Sequence, residues 1–479
     1  MKRPTQNPTK SSSNRGPQRG DTGTGGATKK TGPSKSEFVE MVKFCTHVFD
    51  FKDEQKEKDE KIKRLEYLNK LQEKLTTEQG IPMVIENLTA VMEMIKANIF
   101  RPLPVVKKAG PAEDMNGLED EMVTDKSWPH LQPVYEFFLQ LIVNDAADVK
   151  SLKNYVTPKF IEDFLYLFDS EEVTEREYLK NILHRLYAKL VPRRKMIRKA
   201  VTDTFYTLIH EIYKFNGAAE LLDIFASIIS GFAVPLRDEH VIFFKTVIIP
   251  LHKVQTCPKF HNELLRCSML FVSKDPLLAF DLICGLLVYW PFASFGKETL
   301  FLTELLEVMD VCDITKLDPH IEILFTRLIK CIASPHLQVS DRAMCFFEND
   351  FFLSILKQYK TKIFPIMVPV INELADKHWH KLLQDSLGAL KNILKDIDNQ
   401  LFDKYAKEEE KNKCKFIHLV QTPEQIQKAR QGNESKWREL EQAAASKNKN
   451  FVTPELPYSE NHIVGEHNGL WNGQVLNVD

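Results

Sequence analysis

The residues from Asn181 to Lys199, NILHRLYAKLVPRRKMIRK, bring many cationic side chains together. We call them the basic stretch. An arginine guanidinium presents a planar fork of N–H donors that fits a carboxylate or a phosphate. No nucleophilic side chain accompanies the cations, so the stretch indicates a binding surface rather than a catalytic site. The cationic residues are His184, Arg185, Lys189, Arg193, Arg194, Lys195, Arg198 and Lys199.

The basic stretch also has the apolar spacing of a helix that packs on one side. Its apolar residues recur at steps of three and four, which places them on one helical face. We therefore expect a helix that buries this face and presents its cations elsewhere. The apolar residues are Ile182, Leu183, Leu186, Tyr187 and Leu190.

A second pair, Ile224 and Ile228, is one helical turn apart on a later predicted helix. Adjacent inner helices of a repeat protein line one groove, so an apolar pocket is expected beside the basic stretch. Such a groove suits a short linear peptide with alternating apolar and acidic residues. Two alternatives stay open at this point: a solvated turn between repeats, and a patch for nucleic acid or nuclear import.

No pattern for catalysis, metal binding or cofactor binding accompanies these residues. The glycine cluster at 23–26 follows no predicted strand, and the sequence lacks HExxH and GxSxG motifs. The cysteines form no CxxC pair, so we expect buried free thiols rather than a zinc site or disulfides. The chain is predicted not to be an enzyme. The cysteines are Cys45, Cys257, Cys267, Cys284, Cys312, Cys331, Cys345 and Cys414.

Residues 36–405 follow the apolar period of helices almost without interruption. Each predicted helix is about 12–18 residues long, and two helices with their turns fill roughly 40 residues, the period of HEAT and armadillo repeats. The scarcity of glycine, with 18 residues, also opposes a sheet-rich fold. The predicted fold is all-α, a HEAT-like helical-repeat solenoid of about eight degenerate repeats.

Some of these expectations concern single positions. Val48 and Ile62 are assigned to the apolar stripes of the first two helices, and Leu382 to that of a late helix. Prolines, Pro365 among them, are expected near helix boundaries because proline lacks an N–H and restricts the preceding residue.

The remaining segments depart from the helical pattern. We expect a disordered basic tail at 1–35, a long exposed loop near 104–126 with the acidic cluster Glu119, Asp120 and Glu121, a charged helical extension at 406–450 and a flexible tail at 451–479.

The net charge of −2 gives the whole molecule no bulk preference for nucleic acid or membrane. No apolar run is long enough to span a bilayer, and the N-terminus lacks the apolar core of a signal peptide. We therefore expect a cytoplasmic protein, a nuclear protein, or both.

Several segments resemble the B-prime family of regulatory subunits of protein phosphatase 2A. The likeness extends over about residues 36–445. It is carried by WPHLQPVYEFFLQLI (128–142), KFIEDFLYLFDSEEVTEREYLKNILHRLYAKL (159–190), IRKAVTDTFY (197–206), GAAELLDIFASIISGFAVPLRDEH (217–240), IIPLHKV (248–254), LLVYWP (286–291), KCIASPHLQVSDRA (330–343) and LFDKY (401–405).

This resemblance implies a non-catalytic subunit that joins a scaffolding A subunit and a catalytic C subunit and selects substrates for them. It also implies a concave groove that binds Leu-x-x-Ile-x-Glu peptides. The residues matching the family's peptide-binding positions are His184, Arg185, Tyr187, Arg194, Ile224, Ile228 and His240, with conservative departures at Asn181, Asp223 and Arg237.

The acidic cluster Glu119, Asp120 and Glu121 resembles an acidic loop that, in the family, lies towards the catalytic subunit. We hypothesise that it competes electrostatically with acidic substrates. The alternative to a phosphatase regulatory subunit, for the chain as a whole, is a general α-solenoid scaffold or a nuclear-transport adaptor.

Overall fold

A computed structural model describes residues 35–51, 55–103, 127–211, 214–292, 294–313, 318–378, 380–411 and 437–447. Within these residues every regular element is a helix, and none is long and apolar enough to cross a membrane. The chain divides into two compact units, Met1–Leu317 and Asp318–Asp479. Residues 1–34 of the predicted tail at 1–35, the loop at 104–126 with Glu119, Asp120 and Glu121, and the tail at 451–479 lie outside the described residues. So do residues 412–436 and 448–450 of the predicted extension at 406–450.

Helices joined by short turns make up the first unit. They are α1 (Lys35–Thr46), α2 (Lys58–Thr76), α3 (Gly80–Glu86), α4 (Leu88–Ile99), α5 (Trp128–Val143), α6 (Val149–Lys153), α7 (Pro158–Tyr166), α8 (Val173–Lys189), α9 (Arg194–His210), α10 (Ala218–Ser230), α11 (Asp238–Phe243), α12 (Ile249–Leu251), α13 (His261–Lys274), α14 (Leu278–Val288) and α15 (Phe295–Met309).

The helices of this unit pack in a repeated order along the chain. One row is formed by α2 against α5, α5 against α8, α8 against α10, and α10 against α13. Other helices pair beside this row, as α1 does with α4, α7 with α9, and α9 with α12. Helix pairs that stack on their sequence neighbours are the architecture of a repeat protein, so the all-α HEAT-like prediction is confirmed.

Helix α8, which carries residues 181–189 of the basic stretch, buries the face that its apolar spacing predicts. Leu179, Ile182, Leu183 and Leu186 are fully buried, and Leu190 just beyond the helix is buried with them. Burial of one such side chain contributes roughly 1.5–3 kcal/mol, so this face is a main source of the stability of the helix.

A buried carboxylate fixes the first turn of α8. Glu175 accepts two hydrogen bonds from the Arg101 guanidinium, at 2.7 and 3.1 Å. It also accepts one from the Tyr135 hydroxyl at 2.6 Å and one from the Ser170 hydroxyl at 2.5 Å. Its side chain is wholly buried, and these donors compensate for the loss of water. The network therefore joins α8 to α5 and to the end of α4.

A helical segment of mixed type runs from α11 to α12. Residues Phe244–Ile248 between them are π-helical, and the Ile249 N–H donates to the Phe244 carbonyl five residues earlier. Pro250 has no N–H and cannot continue a regular α-helical ladder, which accounts for the wider turn here. Helix α14 approaches closely because it has Gly285 at the contact, where a Cβ would lie 2.2 Å from Cγ2 of Ile249.

The second unit is also helical. In this unit α19 packs against α16, α20 and α21. Residues 437–447 form a further helix. The helices are α16 (Ile321–Ile332), α17 (Leu337–Met344), α18 (Asp350–Gln358), α19 (Lys360–Lys377), α20 (Lys381–Ile397) and α21 (Asn399–Lys411).

Three predicted core positions are wrong. Val48 lies beyond the end of α1 and is 54% exposed, and Ile62 is 49% exposed while the neighbouring Arg64 is fully buried. The Arg64 guanidinium donates to the His130 carbonyl and to the Asn98 side chain, so polar partners decide which face of α2 turns inward. Leu382 is 73% exposed because the buried face of α20 begins at Leu383.

The expectation for Pro365 is also wrong, because this proline lies inside α19 rather than near its end. An internal proline costs a helix about 3 kcal/mol when nothing offsets it. Phe364, Met367 and Val368 around it are fully buried, and this packing holds the helix together.

The prediction of free thiols is confirmed for the cysteines that the structure describes. None of them forms a disulfide, and five are buried: Cys45, Cys257, Cys267, Cys312 and Cys331. Burial raises the pKa of Cys45, Cys257 and Cys267 to about 12, so these thiols stay protonated and unreactive.

Replacing Glu175 by alanine tests whether its carboxylate fixes α8. We expect Glu175→Ala to lower the free energy of unfolding by about 3–5 kcal/mol, because the Arg101 guanidinium and the Tyr135 hydroxyl lose their buried acceptor. Urea-induced unfolding followed by circular dichroism measures the change.

The matched control is Asp163→Asn on α7, which breaks a solvent-exposed pair with Lys159. This variant should unfold at the urea concentration of the wild type, since exposed ion pairs contribute little. Equal midpoints for Glu175→Ala and Asp163→Asn would contradict the role assigned to Glu175.

Candidate functional site

Arg194 caps the C-terminal end of α8, the helix that carries residues 181–189 of the basic stretch. Its Nε donates to the Tyr187 carbonyl and its Nη2 to the Ala188 carbonyl, each at 3.0 Å. These carbonyls belong to the last turn of α8 and have no partner within the helix. A guanidinium has five N–H donors, so the cap occupies two and leaves three for a ligand.

Tyr187 is held between two arginines. The Arg194 guanidinium carbon lies 5.3 Å from the centre of its ring, and Arg198 Nη1 donates to its hydroxyl oxygen at 3.0 Å. The hydroxyl accepts this bond, so its own proton can go to another acceptor. Together the Arg194 fork and the Tyr187 hydroxyl form a half-buried set of donors suited to a carboxylate.

Asp223 on α10 does not offer a free carboxylate. Its Oδ2 lies 3.2 Å from Lys180 Nζ on α8, and its Oδ1 accepts from Arg266 Nη1 on α13 at 2.8 Å. Lys180 is also held by Glu177, at 2.9 Å. Asp223 therefore helps to set the positions of α8, α10 and α13 relative to one another.

Ile224 and Ile228 lie one turn apart on α10, the helix that packs against α8. They are 4% and 8% exposed. The pair therefore packs almost entirely within the protein core and leaves only a small apolar area at the surface.

His240 lies in the first turn of α11 and is 6% exposed. Its ring stacks on Phe232, with ring centres 3.7 Å apart and planes within 3°. Neither ring nitrogen has a hydrogen-bond partner among the described residues. Burial lowers the pKa of His240 below its usual 6.5, and Arg237 and Arg198 lower it further against the opposing charge of Glu239. The imidazole is therefore neutral at pH 7.

The other predicted site residues lie at the surface. Asn181, His184 and Arg185 are exposed on α8, and Arg237 is exposed and pairs with Glu239 at 3.1 Å. The structure thus joins Tyr187 with Arg194 through direct contact and places Asp223 against α8. Within the part of the chain that the structure describes, the four exposed residues form no hydrogen bond or ion pair with those two clusters.

Lys180 was missed from the sequence, and the role of Arg198 was not recognised. Arg198 supports the Tyr187 hydroxyl, and Lys180 holds Asp223. Arg198 was counted among the cations of the basic stretch, but its partner lies on the preceding helix, 11 residues earlier. Lys180 precedes His184 by one helical turn, but Asp223 lies on α10 and gave no local signal.

A cleft of about 380 Å³ lies between α7 and α9. It contains none of the predicted site residues. Its lining includes Glu162 and Asp203, whose charge does not suit a carboxylate ligand. The site around Tyr187 is therefore the better candidate for binding an acidic peptide.

Comparison with known proteins decides the family. The family model described as "Protein phosphatase 2A regulatory B subunit (B56 family)" matches residues 27–444. The chain belongs to this family. The B56 family consists of regulatory subunits, so the chain is a phosphatase regulator and not itself the catalyst, as predicted.

Named relatives support the assignment. The chain is 38% identical to the "Serine/threonine-protein phosphatase 2A 56 kDa regulatory subunit alpha isoform" of Mus musculus over 369 residues, which cover 76% of this chain and 74% of that protein. It is 35% identical to the B' beta isoform of the 57 kDa regulatory subunits of Arabidopsis thaliana over 416 residues, 86% of this chain and 80% of that one.

A solved structure of an engineered protein covers 75% of the chain with a TM-score of 0.31 and 13% identity. This similarity is too low to support an argument about fold or function. The B56 assignment rests on the family model and the named relatives.

The low pKa of His240 predicts a measurable pH dependence. A group whose folded pKa lies below its unfolded value contributes stability above the unfolded pKa and loses it as the pH falls. We expect the stability of this B56 subunit to decrease as the pH drops below about 6.5, the ordinary histidine value.

In His240→Gln this part of the decrease should disappear, because glutamine does not titrate. Urea unfolding at pH 7.5 and pH 5.5 gives the difference for each protein. His210→Gln, at an exposed position on α9, serves as the control and should retain the wild-type decrease. A decrease of the same size in His240→Gln would contradict the assignment.

Proposed function

We propose that this B56 subunit recruits substrates to a heterotrimeric protein phosphatase 2A by binding Leu-x-x-Ile-x-Glu peptides. Its partners would be a scaffolding A subunit, a catalytic C subunit and proteins that carry the motif. Support comes from the family, and from an apolar pair and a carboxylate-binding set of donors on neighbouring helices. No cofactor takes part in this function.

The observation that carries the proposal is the arrangement of Tyr187 between Arg194 and Arg198. The cap on α8 orients the Arg194 fork before any ligand arrives, so little side-chain entropy is lost on binding. Arg198 donates a hydrogen bond to the Tyr187 hydroxyl oxygen, so the proton of this hydroxyl can be donated to an acceptor on the ligand. A peptide glutamate would take up these donors through charge-assisted hydrogen bonds.

The apolar residues of the motif would pack on Ile224 and Ile228, with the stacked His240 ring at the edge of the pocket. Asn181, His184 and Arg185 would contact the peptide from the exposed face of α8, and Arg237 would do so beside His240. Asp223 would act indirectly, by holding α10 against Lys180 of α8. A phosphoserine near the motif would strengthen binding through the surrounding cations.

The alternative of a general scaffold or a nuclear-transport adaptor has no support from the comparisons. It would require the basic stretch to bind cargo or nucleic acid without preference for a peptide glutamate. Replacing the peptide glutamate by an uncharged residue therefore distinguishes the two functions, because only binding of the Leu-x-x-Ile-x-Glu motif depends on this carboxylate.

A double-mutant cycle tests the groove. We expect Arg194→Ala to weaken binding of a fluorescent Leu-x-x-Ile-x-Glu peptide by about 2 kcal/mol or more. The same loss should follow from replacing the peptide glutamate with glutamine, and the two losses should not add, since both remove one interaction. Fluorescence anisotropy gives the four dissociation constants.

Lys199→Ala is the matched control, because Lys199 lies on the same helix but is exposed and pairs with Asp203. It should bind the peptide as the wild type does. Additive losses in the cycle would show that the glutamate binds elsewhere. An equal loss in Lys199→Ala would show that only general positive charge matters.

The acidic cluster is proposed to lower phosphatase turnover by competing with acidic substrates. Changing Glu119, Asp120 and Glu121 together to glutamine or asparagine should raise turnover of an acidic phosphopeptide by the assembled holoenzyme, because the competing charges are gone. Unchanged turnover would contradict this role. Hydrolysis of a small phosphate ester with an uncharged leaving group serves as the control for assembly.

A further inference from the structure

Three ionisable side chains meet in the interior of the first unit, away from the basic stretch. They are His252, just after α12, His261 at the start of α13, and Glu304 on α15, and we call them the triad. His252 and Glu304 have no exposed side-chain surface, and His261 has 2%. The three ligand atoms that they offer lie within 4.8 Å of one another.

His252 is oriented by its second nitrogen. Its Nδ1–H donates to the Ile249 carbonyl at 3.0 Å, which directs Nε2 towards Glu304. Nε2 lies 3.1 Å from Oε1 and 3.0 Å from Oε2 of that carboxylate. A ring N–H bonded to a backbone carbonyl is the outer contact that metal-binding histidines commonly make.

His261 faces the same carboxylate: its buried Nε2 lies 2.9 Å from Glu304 Oε2. A neutral His261 can donate to this oxygen only in the tautomer that has its proton on Nε2. His252, whose proton is on Nδ1, would have to be an imidazolium to donate as well, which costs free energy in the interior.

We propose that the triad is a structural site for one divalent transition-metal ion, and that zinc is the ion its donors favour. Two imidazole nitrogens and a carboxylate are a known zinc ligand set, and the fourth position would take water. Zinc ligands at about 2.0–2.1 Å in a tetrahedron lie about 3.3 Å apart. The observed nitrogen–oxygen separations of 2.9–3.1 Å differ from this by only a few tenths of an ångström.

The surroundings suit a site closed to solvent. Phe301 packs edge-on against His252 and stacks with His261, and Trp290 packs against Phe301. A metal ion here would connect α12, α13 and α15, and it would bind as the protein folds, since the site is buried afterwards. The ligands are far apart in the sequence and follow no motif, so the sequence gave no indication of the site.

The test compares the full-length chain with two variants. After purification with zinc present and dialysis against a weak chelator, the wild type should retain about one zinc ion per chain, the stoichiometry of a single site. Elemental analysis measures the content. Removal of zinc by EDTA during unfolding and refolding should lower the melting temperature, and added zinc should restore it.

His261→Phe separates the two explanations. Phenylalanine keeps the stacking on Phe301 but removes a ligand. Zinc affinity should fall by on the order of 100-fold or more, since losing a ligand costs at least as much as losing an outer contact, and added zinc should no longer raise the melting temperature. If no metal binds, the change removes only the contact between His261 and Glu304, and the melting temperatures of the wild type and of the variant should both be independent of zinc.

His210→Phe, at an exposed histidine of α9, controls for loss of any histidine and should retain zinc like the wild type. A wild type that holds no zinc and does not respond to EDTA overturns the proposal, and the triad is then a metal-free ion cluster. Equal zinc loss in His210→Phe and His261→Phe overturns it too, because the zinc would then be adventitious. The wild-type result decides the question even if a variant fails to fold.

Discussion

The buried Glu175 carboxylate is the interaction on which the candidate site depends. It lies in the first turn of α8, where a negative charge is stabilised by the helix dipole and by donors from three other residues. Removing the charged carboxylate from these donors would cost a large free energy. The network therefore fixes both the rotation of α8 about its axis and its position along that axis. That position decides which of its residues enter the core and which face outward, so the donors around Tyr187 are set by a contact about three helical turns away.

Much of the positive charge in the basic stretch is used within the protein. Arg194 caps α8, Arg198 supports Tyr187, and Lys189 Nζ donates to the Ile142 and Asn144 carbonyls at 2.7 and 2.6 Å. A charge count therefore overestimates what is available to a ligand. These internal bonds also fix the three cations at separate places, so they do not form a uniform positive surface.

Helical periodicity was sufficient to predict the class of fold and the buried face of α8, because apolar side chains at steps of three and four have few alternatives in a helical protein. It failed at Ile62 and Leu382, where a polar partner or a shift of one residue decided the buried face. It also could not give the partners of Lys180 and Arg198, since each contact joins two different helices: α8 and α10 for Lys180, and α9 and α8 for Arg198. The roles of Tyr187, Arg194 and Ile228 were inferred from family resemblance, which supplies what spacing alone leaves open.

The helical segment between the groove and the triad gives these two regions a shared support. It begins with α11, which carries His240, and ends with α12, one residue before His252. At 1.5 Å per residue the segment from Asp238 to Leu251 is about 20 Å long. Its far end is held by the close contact of Ile249 with Gly285, and His252 Nε2 just beyond it lies 3.0 Å from Glu304 Oε2. A helix held at one end transmits its position to the other, so the packing around Glu304 helps to decide where the His240 ring lies.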